Sequence, residues 1–564
     1  MLTRRKLLRN SVMGAAGAYA GRGLLGGTRA ASGVQLTEDF DGTTPFNTPP
    51  FVEAMPIPPV KAPKYTGADC YMRLTGGLRN PRQPAHQQDS LNVPWGRPQK
   101  AYEMRVGYAD WSFHPEIPDT RVFGFDGRSP GPTFQARYGE PIIVRIHNDL
   151  PANHEGFGIP SISTHLHNAH TASESDGNPD NYFDSGEYWD NHYPNVLSGV
   201  MTDGYGYGRE TLGTLWYHDH RRDFTAQNVY AGLVGFYLLY DQDDCGEEGN
   251  RLGFRLPSGN YDVPMVLADK VFGTDGNLLY NFFNQDGILG DRYTVNGKIQ
   301  PYFEVARRKY RLRFLDGGPA RFYALALSDG SPFIQIGNDG NLFERPIYRK
   351  VVWLGVAERA DVIVDFSRYR TGTRLYLMNL AEQIDGRGPT GDLLSMASGT
   401  KLVEFRVGRR EDDKSVIPKM DANVISLREQ PPIPPQDVLD QLDSRTFVFD
   451  RSGGGWTVNE LAYDPNRVLA APKRGRSEVW TLRNESGGWW HPIHIHNEEF
   501  RVISRDGRAP DPWEAGRKDT IALPGNSEVK VLVCFRDWLG KYPVHCHNVL
   551  HEDHAMMFRF DVTD

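Results

Sequence analysis

Apolar and polar residues alternate over short stretches throughout this 564-residue chain, and Gly, Pro, Asn or Asp closes most of them. Period two marks a half-buried strand, and many such strands at short intervals predict an all-β chain of several sandwiches or barrels. One strand pattern recurs three times: Glu140–Asn148, Lys309–Asp316 and Ser477–Asn484. Each copy alternates and ends on Asn or Asp, and the end residues are spaced equally, 168 positions apart. Equal spacing of one strand predicts three copies of one β unit, and roughly 150 residues per domain agrees with that count. The expected boundaries are 51–242, 260–410 and 445–564. The acidic segment Asp241–Asn250 forms the first linker; the charged stretch Arg409–Lys414 and the prolines from Pro431 to Pro435 form the second.

The first 31 residues follow a different logic. The stretch Thr3-Arg4-Arg5-Lys6-Leu7-Leu8 is a twin-arginine signature, a mildly apolar Gly/Ala stretch runs from Ser11 to Ala20, and small residues lie at Ala30 and Ala31. That order predicts an export signal at 1–31, with folded export to the periplasm or beyond. Residues 32–50 read as a flexible leader. No later apolar run is long enough to span a bilayer. A net charge of −8 with no basic face gives no reason to expect nucleic acid. A monomer without a membrane partner is expected once the signal is removed.

Four cysteines are too few for a disulfide scaffold. Cys534 lies in an apolar run and reads as a core thiol. Cys70 and Cys245 are left open, free or paired after export. Cys546 stands between two histidines.

Ten of the seventeen histidines fall in four clusters. They are His165 with His167, His218 with His220, His491 with His494 and His496, and His545 with His547 followed by His551. A lone histidine is usually a satisfied core or surface group. Four His-x-His pairs are another matter, because residues i and i+2 of a strand point to one face and each pair aims two imidazoles at one spot. Imidazole suits copper, zinc, iron and nickel. Parity then sorts the ligands into two sites. Cys546 faces away from His545 and His547, and His491 away from His494 and His496. One site therefore holds His491 and Cys546, with His551 and Met556 available from the following turn. Two His, a thiolate and a weak axial Met form a blue-copper set. Spacing after His551 favours Met556 over Met557. The other site gathers eight imidazoles, enough for three coppers with positions open to oxygen.

At these residues the chain resembles the multicopper oxidase family, in the branch containing spore-coat laccases, bilirubin oxidases and phenoxazinone synthases. Supporting stretches include Phe51–Pro58, Ser129–Thr133 and Asn228–Gly235. The resemblance implies three cupredoxin-like Greek-key β-barrel domains and four copper ions. It assigns His491, Cys546, His551 and Met556 to the type 1 copper, and His165 and His494 to the type 2 copper. It assigns His167, His218 and His545 to one type 3 copper, and His220, His496 and His547 to the other. It implies electron entry at the edge of His551, nearest solvent, and reduction of dioxygen to water by four electrons. Asp176 and Glu552 match acidic positions near the oxygen path and suit proton relay, against the plainer reading of turn or surface carboxylates. Asp219 is expected to orient an imidazole through its side chain.

The resulting expectation is a laccase-like oxidase of phenols, aminophenols or related aromatics. Two alternatives stand beside it: a metallo-oxidase of cuprous, ferrous or manganous ions, and a copper-binding or electron-transfer protein without turnover. The chain lacks the Met-rich insertion of the family's cuprous oxidases, and its ligand set is complete, which argues against each in turn.

Overall fold

The computed structural model describes residues 43–87, 97–197 and 212–564; the export signal expected at 1–31 lies outside them. Among the described residues, the strands between 65 and 562 form three successive pairs of β-sheets and one small two-stranded sheet, Ser161–Ile162 with Phe183–Asp184. The first pair has five and four strands, the second seven and five, and the third six and five. A separate apolar core fills each pair, around Val144 and Tyr217 in the first, Leu312 and Phe405 in the second, and Trp480 and Val544 in the third.

The three repeated strands occupy equivalent places. Ile142–Asn148, Lys309–Asp316 and Arg476–Asn484 each run parallel to an earlier strand and antiparallel to a later one. Asn148 at the end of the first ties down the following chain by donating to the carbonyls of Pro160 and Phe183. Asn484 does the same with Trp489, Leu523 and Pro524.

Two expectations change here. The polar face of Lys309–Asp316 does not meet water: Arg311 and Arg313 are buried. Arg311 pairs with Asp244 and Asp361, and Arg313 with Asp262. These carboxylates come from the linker and neighbouring strands, so the alternation that suggests a half-buried strand here marks a buried ionic seam. The described part of the leader, 43–50, is also anchored rather than loose. Thr44 is buried and bonds both carboxylate oxygens of Asp291, and Arg292 donates to the carbonyl of Phe46. All four cysteines are free thiols, and Cys534 is only half-buried.

Candidate metal centres

Two pairs of adjacent strands carry the histidines. Thr164–His167 runs antiparallel to Thr214–Asp219, with His165 opposite His218. His491–Ile495 runs antiparallel to Gly540–Cys546, with His494 opposite His545 and Ile493 opposite Cys546. Alternation along each strand sends His491 and Cys546 to one side and His494, His496 and His545 to the other.

On the first side, Cys546 Sγ lies 3.5 Å from His491 Nδ1 and 3.6 Å from His551 Nδ1, and the two Nδ1 atoms are 3.0 Å apart. The outer nitrogens bear on the tautomers. His551 Nε2 faces the Asp286 carbonyl at 3.0 Å, which can only accept. His491 Nε2 faces Ser486 Oγ at 2.7 Å, and the Ser486 hydroxyl proton goes to Asn484 Oδ1. With both Nε2 atoms donating outward, both Nδ1 atoms present lone pairs, and two lone pairs 3.0 Å apart beside a thiol suit a cation. Burial pushes the Cys546 thiol up and holds His491 down at about 3. Without a cation all three groups stay neutral, and binding one releases the thiol proton. Met556 is buried in the same apolar cluster as Cys546, which does not include Met557. Its backbone accepts from Cys546 N and donates to His551 O.

On the second side, His494, His496 and His545 meet His165, His167, His218 and His220. Nε2 atoms face each other at 3.4 Å for His165 and His494, 3.1 Å for His220 and His496, and 3.2 Å for His496 and His545. Their Nδ1 atoms are engaged outward. His494 donates to the carbonyl of Asp519 at 2.8 Å and His218 to that of Asp219 at 2.7 Å; the Asp176 carbonyl accepts from His165. His496 Nδ1 meets Asp176 Oδ2 at 2.8 Å, and Glu552 bridges His220 Nδ1 and His545 Nδ1 at 3.0 Å each. Such outer contacts orient metal-binding imidazoles. His167 is reversed: its Nε2 meets Asp519 Oδ1 at 2.9 Å, and its Nδ1 has no partner. His218 Nε2 and both nitrogens of His547 are also buried without partners. Buried polar atoms are nearly always satisfied, so this convergence of bare nitrogens fits metal ions in its chemistry.

The geometry corrects three expectations. First, His545 and His547 exchange places: His545 groups with His220 and His496, and the His547 ring lies 5.3 Å from His167 and 5.2 Å from His218. The strand ends at Cys546, so His547 turns away from the ladder that pairs His545 with His494. Second, His551 has no solvent edge, with 0% of it exposed beneath Asp286 and Trp456. Third, the Asp219 carboxylate touches no imidazole; it accepts from Ser163 N, Arg221 N and Asn228 Nδ2, and only its carbonyl serves His218. Asp176 and Glu552 are buried among the histidines, which removes the plainer reading of surface carboxylates. Burial raises the Asp176 carboxyl well above its usual range. Burial acts the same way on Glu552 but is outweighed by His545 and His220, which hold it low.

Asp519 goes unread in the sequence. It is a single acid between Lys518 and Thr520 with no motif around it, yet it contacts two of these histidines.

Family models described as multicopper oxidase match residues 105–244 and 432–564. A bilirubin oxidase of Albifimbria verrucaria is 34% identical over 532 residues, covering 91% of this chain and 82% of the relative. A laccase of Bacillus subtilis is 32% identical over 521 residues, covering 82% and 94%. The crystal structure of a laccase from Pediococcus acidilactici superposes with a TM-score of 0.72 at 24% identity, covering 93% and 97%. That likeness gives the sheets described above the cupredoxin-like fold, in three domains.

Proposed function

Because this chain belongs to the multicopper oxidase family, and is a copper-dependent oxidoreductase with dioxygen as acceptor, we propose that it is a laccase-like oxidase of phenols, aminophenols or related aromatics. In this reading His491, Cys546, His551 and Met556 hold a type 1 copper, and His165 and His494 a type 2 copper. His167, His218 and His547 hold one type 3 copper; His220, His496 and His545 hold the other. The single observation that carries the reading is the set of bare donor atoms: a buried thiol with two lone-pair Nδ1 atoms on one side, and facing or orphaned imidazole nitrogens on the other. Bound there, copper supplies one-electron uptake beside the thiolate and four-electron reduction of dioxygen among the histidines.

The chain's own residues connect the two ends. Cys546 is peptide-bonded to both His545 and His547, so a few covalent bonds join the thiolate to each half of the histidine cluster. Glu552, bridging His220 and His545, and Asp176, beside His496, are the groups positioned to hold and pass protons at their carboxylate oxygens. On the entry side, a reductant meets the Asp286 backbone that caps His551 Nε2. Trp456 packs 4.0 Å from the His551 ring, and Trp489 meets Trp456 edge-on at 5.5 Å. Trp456 is buried, so the half-buried Trp489 is the indole of the pair that favours an aromatic reductant, and the twelve methionines are scattered along the sequence rather than gathered for cuprous ions. The same reading includes an export signal at 1–31, three domains at 51–242, 260–410 and 445–564, and a monomer.

Oxygen consumption by the copper-loaded protein tests the substrate class, with phenols, an o-aminophenol, bilirubin, and cuprous and manganous ions compared at equal concentration. Fastest uptake with phenols or aminophenols is expected. Uptake driven only by metal ions overturns the substrate class, and no uptake with any donor overturns turnover itself.

A further inference from the structure

Between the second and third pairs of sheets lies a cleft of about 290 Å³ that includes none of the proposed copper ligands. That volume is near the lower end of the ~300–1,000 Å³ range of small-molecule sites. Its walls include Phe322, Trp353, Trp490 and Trp513, with Phe322 and Trp490 edge-to-face at 5.6 Å. Neither His551 nor Asp286 lines it, although its wall residue Trp490 lies between Trp489 of the entry side and the proposed ligand His491 in sequence.

The four cations along this cleft face as many carboxylates, but they are not paired one to one. Arg359 is taken by Asp519, Arg505 by Glu514, and Lys518 by Asp339 and Glu358. Arg349 is left over. It lies flat on Trp513, 3.8 Å from the ring, and makes one long hydrogen bond, 3.3 Å to Gln335 Oε1. Among the described residues no carboxylate comes within 4.0 Å of it, although it is 9% exposed. A guanidinium has five donors, and a buried charge without a partner is costly. Burial draws its pKa down to about 10, against the opposing pull of Asp511, Glu514 and Glu358, none of which touches it. A second lining group is also unsatisfied: Asn338 is 5% exposed and its Oδ1 has no partner.

We propose that this cleft is a binding site for a small aromatic carboxylate, its ring among the indoles and its carboxylate on the edge of Arg349. Stacking on Trp513 leaves the guanidinium fork free at its rim, where it matches a carboxylate with two parallel N–H donors. The aromatic walls select a ring over a bare inorganic anion. Asn338 Oδ1 offers an acceptor to a hydroxyl or N–H on that ring. The inference rests on the cleft alone and holds whichever reductant the enzyme uses.

Titration calorimetry on the copper-loaded enzyme, with benzoate as probe, tests it. Benzamide keeps the ring and removes the charge; phosphate keeps a charge and removes the ring. Benzoate is expected to bind one per chain, at least about tenfold tighter than either control on the unaltered protein. Arg349→Gln should weaken benzoate by a similar factor, with thermal melting showing that the variant is folded. Absence of benzoate binding overturns the proposal, as does equal binding of benzamide or undiminished binding to folded Arg349→Gln. Phosphate binding as tightly as benzoate overturns the aromatic part and leaves a simple anion site.

Discussion

Arg359 clamps Asp519 at two points, Nη1 to Oδ1 at 2.8 Å and Nη2 to Oδ2 at 2.6 Å, with both residues buried. Arg359 comes from the second pair of sheets and Asp519 from the third, and the same carboxylate meets His167 of the first. Arg359→Met should leave Asp519 buried and unpaired, at a cost of about 3–5 kcal/mol in urea unfolding. Adding Asp519→Asn should recover part of that loss. If Arg359→Met is as stable as the parent, the clamp holds nothing together.

Cys546→Ser should abolish the blue colour, which arises from thiolate bonding to copper, and stop substrate oxidation. The eight histidines of the other side remain, so metal analysis should still find copper. A variant that stays blue contradicts the assignment of Cys546.

Met556→Leu should keep the colour and raise the redox potential, because the axial thioether only tunes the site. Met557→Leu should change neither, since Met557 lies outside the apolar cluster around Cys546. The opposite pattern would move the axial role to Met557.

Glu552→Gln and Asp176→Asn separate proton delivery from electron entry. Both changes preserve shape, and neither residue is a proposed copper ligand. Anaerobic reduction of the blue copper should run at the parental rate. Reoxidation by dioxygen should slow by about 10²–10⁴, so that colourless enzyme accumulates during turnover. Stopped-flow absorbance reads both half-reactions, and parental reoxidation in both variants would reduce these acids to a positioning role.

His170 supplies a pH dependence in stability. Its side chain is 7% exposed, with Nε2 2.7 Å from Asp537 Oδ2 and Nδ1 3.9 Å from Glu498 Oε2. Burial opposes its charge, but Asp537 and Glu498 prevail and raise its pKa above the ordinary value of 6.5. A raised folded pKa gives stability that is complete below the unfolded pKa and disappears as pH rises through the folded one. The melting-temperature gap between the parent and His170→Gln should therefore be widest below about pH 6 and shrink on the alkaline side. A gap that widens with pH contradicts this.

The histidine pairs were legible in the sequence because a strand's side-chain period is two, so spacing alone says which imidazoles share a face. The repeated strands were legible for the same reason, with Asn148 and Asn484 marking where each must hold the next loop. Parity stops where a strand stops. After Cys546 the chain turns into the short helix Val549–Asp553, and the sequence offers no rule for where His547 then points. Ionic seams are equally silent. Arg311, Arg313 and Arg359 look like ordinary solvated charges until the opposing carboxylates are known, and those lie 48 to 160 positions away. Asp519 stayed hidden for that reason.

The pairing of His165 with His494 across 329 positions also sets an order of events during biosynthesis. A ribosome releases the first half of this cleft long before it has made the second. Until the last strands emerge and dock, His165, His167, His218 and His220 line an open face of the first sandwich with nothing opposite. Metal can be enclosed only by a finished polypeptide, so a chain cut short anywhere before His494 folds, if at all, into a molecule with neither site.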